Sequence, residues 1–133
     1  MNREIKFRGK RVDNDEWTYG YLVFSEDYIF DYSERIDIPY IIPIDNFNLK
    51  DYREYRVDES TIGQYTGQKD KNGKEVYEGD IFHLGDPNIT YTIVYFDTAF
   101  RGKQNGASSY IGLDGWKDCI EVIGNIYESD ISS

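Results

Sequence analysis

The sequence describes a mainly β protein, a compact antiparallel β-barrel-like fold with irregular loops, and three observations carry that reading. Short segments alternate apolar and polar residues with period two, which gives a strand one core-facing side. Asn, Asp and Gly stand between those segments, where their backbone preferences and short side chains favour bends. The aromatic share is 17%, from thirteen Tyr, seven Phe and two Trp. Such rings bring large apolar areas, and the polar tips of Tyr and Trp need partners when buried. At 133 residues one domain over 1–133 is expected, since two independent domains would both be small for their surfaces.

Ile5 and Phe7 alternate with Lys6 and Arg8 until Gly9 interrupts the first strand. In the second, Trp17, Tyr19, Tyr21 and Val23 share one face and Thr18, Gly20, Leu22 and Phe24 the other, so both faces are suited to contact protein. Asp13-Asn14-Asp15 between them marks a hairpin turn. Tyr28-Ile29-Phe30 and Ile36 to Ile44 are further extended segments. Pro39 and Pro43 lack backbone donors, which assigns the second of these to a sheet edge or an irregular bridge. Asp45 to Tyr52 reads as a surface loop or a short helical turn, too brief for a long amphipathic helix.

Thr61 to Tyr65 and Lys74 to Leu84 form the middle of the chain. Asn72-Gly73 suits the positive-φ backbone of a tight β turn, and Gly79-Asp80 offers a second bend or bulge. Repeated bending favours a barrel, because closure requires strand curvature and removes edges; an open antiparallel sheet capped by loops is the alternative. The clearest stripe is Ile89, Tyr91, Ile93 and Tyr95, opposed by Thr90, Thr92, Val94 and Phe96. Both of its faces end apolar, so this strand is suited to meet another sheet or a subunit. Arg101 to Ser109 is rich in Gly, Ser and polar residues and reads as a long mobile loop. Asp114-Gly115-Trp116-Lys117 has room for one short helix, and Cys119 to Tyr127 is a closing strand bulged at Gly124. Residues 129–133 are expected to form a mobile, frayed tail.

The ordered segments Ile5-Lys6-Phe7-Arg8-Gly9-Lys10, Trp17-Thr18-Tyr19-Gly20-Tyr21, Ile62-Gly63-Gln64-Tyr65-Thr66-Gly67, Asp70-Lys71-Asn72-Gly73-Lys74, Tyr77-Glu78-Gly79-Asp80-Ile81 and Glu121-Val122-Ile123-Gly124-Asn125-Ile126-Tyr127-Glu128 resemble the YopX family of phage and prophage proteins. The likeness spans nearly the whole chain and is weakest over 25–58 and 100–116. It implies a phage-associated, predominantly β protein, makes the bacterial cytoplasm the expected location and raises self-assembly as an expectation. It carries no catalytic set.

Composition narrows the function classes. Twenty-five Asp and Glu against fifteen Lys and Arg give a net charge of −10, which repels phosphate backbones from most directions. Direct nucleic-acid binding is therefore disfavoured, and Lys6, Arg8, Lys10 and Arg11 read as the solvated face of a strand. Cys119 is the only cysteine, so no intrachain disulfide holds the fold. It is expected to pack as a small hydrophobe, and His83 to be a hydrogen-bonded sheet histidine rather than a ligand. No secretory leader or continuous apolar span is evident, so no membrane association is expected.

The chain contains no nucleotide-binding P-loop, no dinucleotide fingerprint and no nucleophile elbow. No cofactor, catalytic residue or metal ligand is assigned. Asp70 to Glu75 resembles a hard-cation loop but lacks the full ligand cadence, and a turn explains its spacing. Asp70, Glu75, Glu78 and Asp80 are expected to form an acidic rim that is solvated and discourages edge pairing. The leading expectation is a non-enzymatic protein-interaction or assembly module, whose partner is a phage or bacterial host protein or a second copy of the chain. Tyr40, Tyr55, Tyr110 and Trp116 are its expected contacts. The alternatives are a small metal-dependent hydrolase using Glu75, Glu78 and Asp80, and an acidic inhibitor that mimics nucleic acid.

Overall fold

Alternation and turn chemistry resolve, in a computed structural model, into antiparallel strands throughout; the structure describes residues 4–29, 34–44, 49–116 and 118–128. Ten strands are present among these residues: β1 (Phe7–Lys10), β2 (Trp17–Ile29), β3 (Glu34–Ile42), β4 (Gly63–Lys69), β5 (Glu75–Tyr77), β6 (Asp80–His83), β7 (Thr90–Phe96), β8 (Ala99–Gln104), β9 (Tyr110–Gly112) and β10 (Glu121–Asn125). They form open sheets rather than a closed barrel. The described residues divide into two compact units, Ile5–Gln64 and, with Glu4, 65–128.

In the first unit β1 and β2 form the expected hairpin, with Phe7 opposite Gly20 and Lys10 opposite Trp17. Its turn is closed by Arg11 N–H donating to Glu16 O at 2.9 Å and by Asn14 Oδ1 accepting from Glu16 N–H at 3.0 Å. β3 pairs with β2 on one side, and Gly63 and Gln64 of β4 pair with β1 on the other. Pro39 lies in β3 opposite Phe24, at the sheet edge its missing N–H requires. Ile41 and Ile42 are fully buried, and Val57 is nearly so. Gly20 allows this packing, because a Cβ there would be driven into the Ile42 carbonyl oxygen. The helical turn expected near Asp45 appears as a 3-10 helix over Leu49–Tyr55; residues 45–48, Phe30 and the 129–133 tail lie outside the described residues.

In the second unit β4 continues into the hairpin with β5, where Tyr65 opposes Tyr77 and Lys69 opposes Glu75. The larger sheet follows in the order β10-β6-β7-β8-β9. Val76, Phe82, Ile93, Leu113 and Ile120 form its core, supported by Leu84, Tyr91, Phe100, Ile111 and Val122. Phe82 stacks on Tyr91 at 5.3 Å and has no exposure, so truncating it to Ala would cost about 3–5 kcal/mol. The bulge expected in β10 is present, as a register shift between Val122 and Gly124.

Arg101 to Ser109 corrects the sequence reading. The first four of these residues belong to β8, and the connection to β9 is short. Gly102, a residue that suggested a loop, sits opposite Ile93 because the ring of Phe82 needs the space. A Cβ there would lie 2.7 Å from Phe82 Cζ and 3.1 Å from Ile111 Cγ1. Asp114–Trp116 forms the expected short helix, a single 3-10 turn.

Candidate aromatic cleft

The candidate site is built on the hairpin between β7 and β8. Tyr95 pairs with Phe100 and Phe96 with Ala99, leaving Asp97-Thr98 as a two-residue turn. Both turn residues have positive φ, 53° and 66°, as a type I′ turn demands. Neither is Gly, and for β-branched Thr98 this backbone region is strained. Arg101 clamps the turn: its Nε donates to Phe96 O at 2.9 Å and an Nη to Asp97 O at 3.4 Å.

Strand alternation sends the aromatic residues to opposite faces of the hairpin. Tyr95 continues the stripe of Tyr91 and Ile93 beyond the core, touches Phe100 edge-on at 5.1 Å and remains 57% exposed. Phe96, 50% exposed, stacks on Tyr110 of β9 at 4.6 Å and 11°. Below Tyr95 the chain passes from buried Leu113 into the 3-10 turn that holds out Trp116, which is 44% exposed. That turn is fixed by Trp116 N–H donating to Leu113 O at 3.0 Å, while Trp116 O accepts from Cys119 and Ile120 N–H at 2.8 and 3.1 Å.

Tyr95, Phe100, Trp116, Leu113, Asp114 and Arg101 line a cleft of about 650 Å³. Gln68 Nε2 donates to Asp114 Oδ1 at 2.8 Å and fixes the carboxylate at the rim. Gln68 Oε1 is buried and has no hydrogen-bond partner among the described residues. The cleft thus offers ring faces, an exposed carboxylate and a guanidinium already held by carbonyls.

The expected contact residues separate. Trp116 lines the cleft, and Tyr110 belongs to the stacked pair on the other face of the hairpin. Tyr40 is only 6% exposed and packs edge-on against Tyr52 at 4.9 Å in the first unit's core. Tyr55 packs partly buried beside that core, under the Arg11 guanidinium at 5.2 Å. Tyr95 and Phe96 lie outside the expected contact set, although the apolar ends of both faces of their strand are the signal that marks them.

The acidic residues divide as well. Asp70 and Asp80 are buried and hold backbone, so they are not members of a solvated rim. Asp70 Oδ1 accepts from Asn72 and Lys74 N–H, both at 2.9 Å, and Oδ2 from Val122 N–H at 3.0 Å. Asp80 Oδ2 accepts from Tyr77 N–H at 2.7 Å. Glu75 and Glu78 are half-buried, and Glu75 Oε1 accepts from Tyr77 Oη at 3.0 Å. Among the described residues, no three of His, Cys, Asp and Glu gather as metal ligands. His83 is the sheet histidine expected, its Nδ1 accepting from Gly85 N–H at 3.0 Å. Cys119 is exposed rather than packed.

An acidic, mainly antiparallel β scaffold with aromatic side chains displayed around one hairpin is the class that fold and site define. Within that class the chain belongs to the YopX family, matching the family described as YopX protein over residues 6–130. No curated protein matches the chain. No helix among the described residues is long and apolar enough to cross a membrane.

Proposed function

We propose that this YopX-family protein is a protein-interaction module of phage origin. It acts in the bacterial cytoplasm and presents the β7–β8 hairpin to a phage or host protein or to a second copy of itself. One observation carries the reading: Tyr95, Phe96, Tyr110 and Trp116 are each at least 40% exposed around one paired and clamped hairpin. Aromatic side chains bury large areas with little loss of rotamer freedom, which makes them the usual anchors of interfaces. A rigid β support lowers the ordering cost of binding.

The test is affinity recovery from phage-infected cells with the native chain and a Tyr95→Ser/Trp116→Ser variant, with light scattering on both. The native chain is expected to recover a reproducible partner or to self-associate, and the variant to lose that behaviour while keeping its circular dichroism. Equal recovery and equal mass for both chains would remove the cleft from the interface.

A further inference from the structure

We propose that the cleft receives an arginine side chain of a basic partner protein, its guanidinium stacked on Trp116 or Tyr95 and paired with the Asp114 carboxylate. This rests on the interaction reading above and adds the chemistry of the occupant.

The molecule already holds one guanidinium in this way. In the first unit Arg11 lies 5.2 Å over the Tyr55 ring. Its Nε donates to Asp13 Oδ1 at 3.0 Å and an Nη to Oδ2 at 2.8 Å. That hydrogen bond holds the Asp13 carboxyl below its ordinary value and the Arg11 guanidinium above its own. A ring face attracts the cation through its quadrupole, and the planar fork matches a carboxylate.

The cleft repeats the receiving half of that arrangement. Trp116 and Tyr95 supply half-exposed rings, and Gln68 orients the Asp114 carboxylate beside them. The lining guanidinium, Arg101, is engaged by the hairpin carbonyls of Phe96 and Asp97. Asp97, exposed at the turn, adds negative charge next in sequence to Thr98 of the cleft lining. The whole chain, at −10, draws basic partners and repels acidic ones. Arginine fits better than lysine, because its flat and weakly hydrated head stacks on rings and pairs through two N–H groups.

The experiment is a proton–nitrogen NMR titration of the full chain with blocked acetyl-Gly-Xaa-Gly amides in which Xaa is Arg, Leu or Glu, and with a short oligothymidylate. The arginine peptide is expected to shift the Trp116 indole and Tyr95 signals saturably, at millimolar concentration, and to leave the Trp17 indole in place. Asp114→Asn retains an acceptor for Gln68 and is expected to weaken the arginine peptide about threefold, and Trp116→Ala about fivefold. Asp86→Asn, a charge change in an exposed turn, is expected to change nothing.

Saturation by the leucine or glutamate peptide as tight as that by arginine would overturn the arginine assignment and leave the interaction reading standing. Cleft shifts with the oligothymidylate alone would overturn both. Shifts with none of the probes would overturn the arginine assignment, while partner recovery decides the broader reading separately. Undiminished arginine binding by Asp114→Asn would also overturn the assignment.

Discussion

Two tight turns of the second unit use the same residue types to opposite ends. Asp70 to Lys74 turns inward: its first carboxylate accepts three backbone N–H groups, one of them on β10, and Gly73 takes the positive φ of 83°. Asp97-Thr98 turns outward: positive φ falls on two residues with side chains, and flanking rings are left in solvent. An acidic turn residue therefore carries little functional meaning by itself. What matters is whether its oxygen is spent on the backbone.

The largest effect that separates the two turns is expected from one substitution made in each. Asp70→Asn sets an amide N–H₂ against the Val122 N–H and is expected to cost about 2 kcal/mol in urea unfolding. Asp97→Asn, in an exposed turn and tolerant of positive φ, is expected to stay within about 0.5 kcal/mol. Equal costs would erase the distinction.

The pH dependence of stability sharpens it. Burial pushes the Asp70 carboxyl up, but the N–H groups of Val122, Lys74 and Asn72 and the charge of Lys74 outweigh it and hold the carboxyl below 3.8. A depressed value means that the charged form stabilises the fold. The contribution is complete above the ordinary value and is lost as pH falls through the lower folded one. Unfolding followed from neutral pH down through that range is expected to show a steeper acid limb for the native chain than for Asp70→Asn.

Smaller effects should follow the backbone. Gly73→Ala meets no atom within 4 Å, so only the positive φ resists it, and a loss of about 1 kcal/mol is expected. Thr98→Gly relieves strain of the same kind against a more flexible unfolded chain, and a gain of about 0.5 kcal/mol is expected from the shift of the melting midpoint. A loss on Thr98→Gly would show that the Thr98 hydroxyl, which donates to Asp97 O at 2.6 Å, outweighs relaxed geometry in this hairpin.

The strands whose register is local were legible in the sequence. Ile89 to Phe96 alternates over a whole strand, and Asp13 to Asp15 marks the β1–β2 turn without help from elsewhere. β8 was hidden because the reason for Gly102 is a ring on β6, and no local pattern reports the volume of a distant neighbour. Asp70 was misread for the same reason: one of its three partners, Val122, lies 52 residues away. At the site, Trp116 and Tyr110 stand out as rings in polar surroundings. Tyr40 stands instead between Pro39 and Ile41, and it lies opposite Val23 and against Tyr52 in a core. Composition supplies aromatic residues, and sheet register decides which of them meet solvent.

The Asn72-Gly73 pair also sets how the molecule ages. Attack of the Gly73 nitrogen on the Asn72 side-chain amide closes a succinimide with loss of ammonia, and water opens the ring to aspartate or to an isoaspartyl link that lengthens the main chain by a methylene. In the folded turn that nitrogen is tied to Asp70 O at 2.9 Å, and the Asn72 N–H to the Asp70 carboxylate at the same distance. The hydrogen bonds that shape the turn therefore also protect it chemically. Storage should convert the Asp70→Asn chain at Asn72 faster than the native one, and the isoaspartyl product would carry the misfit into β5.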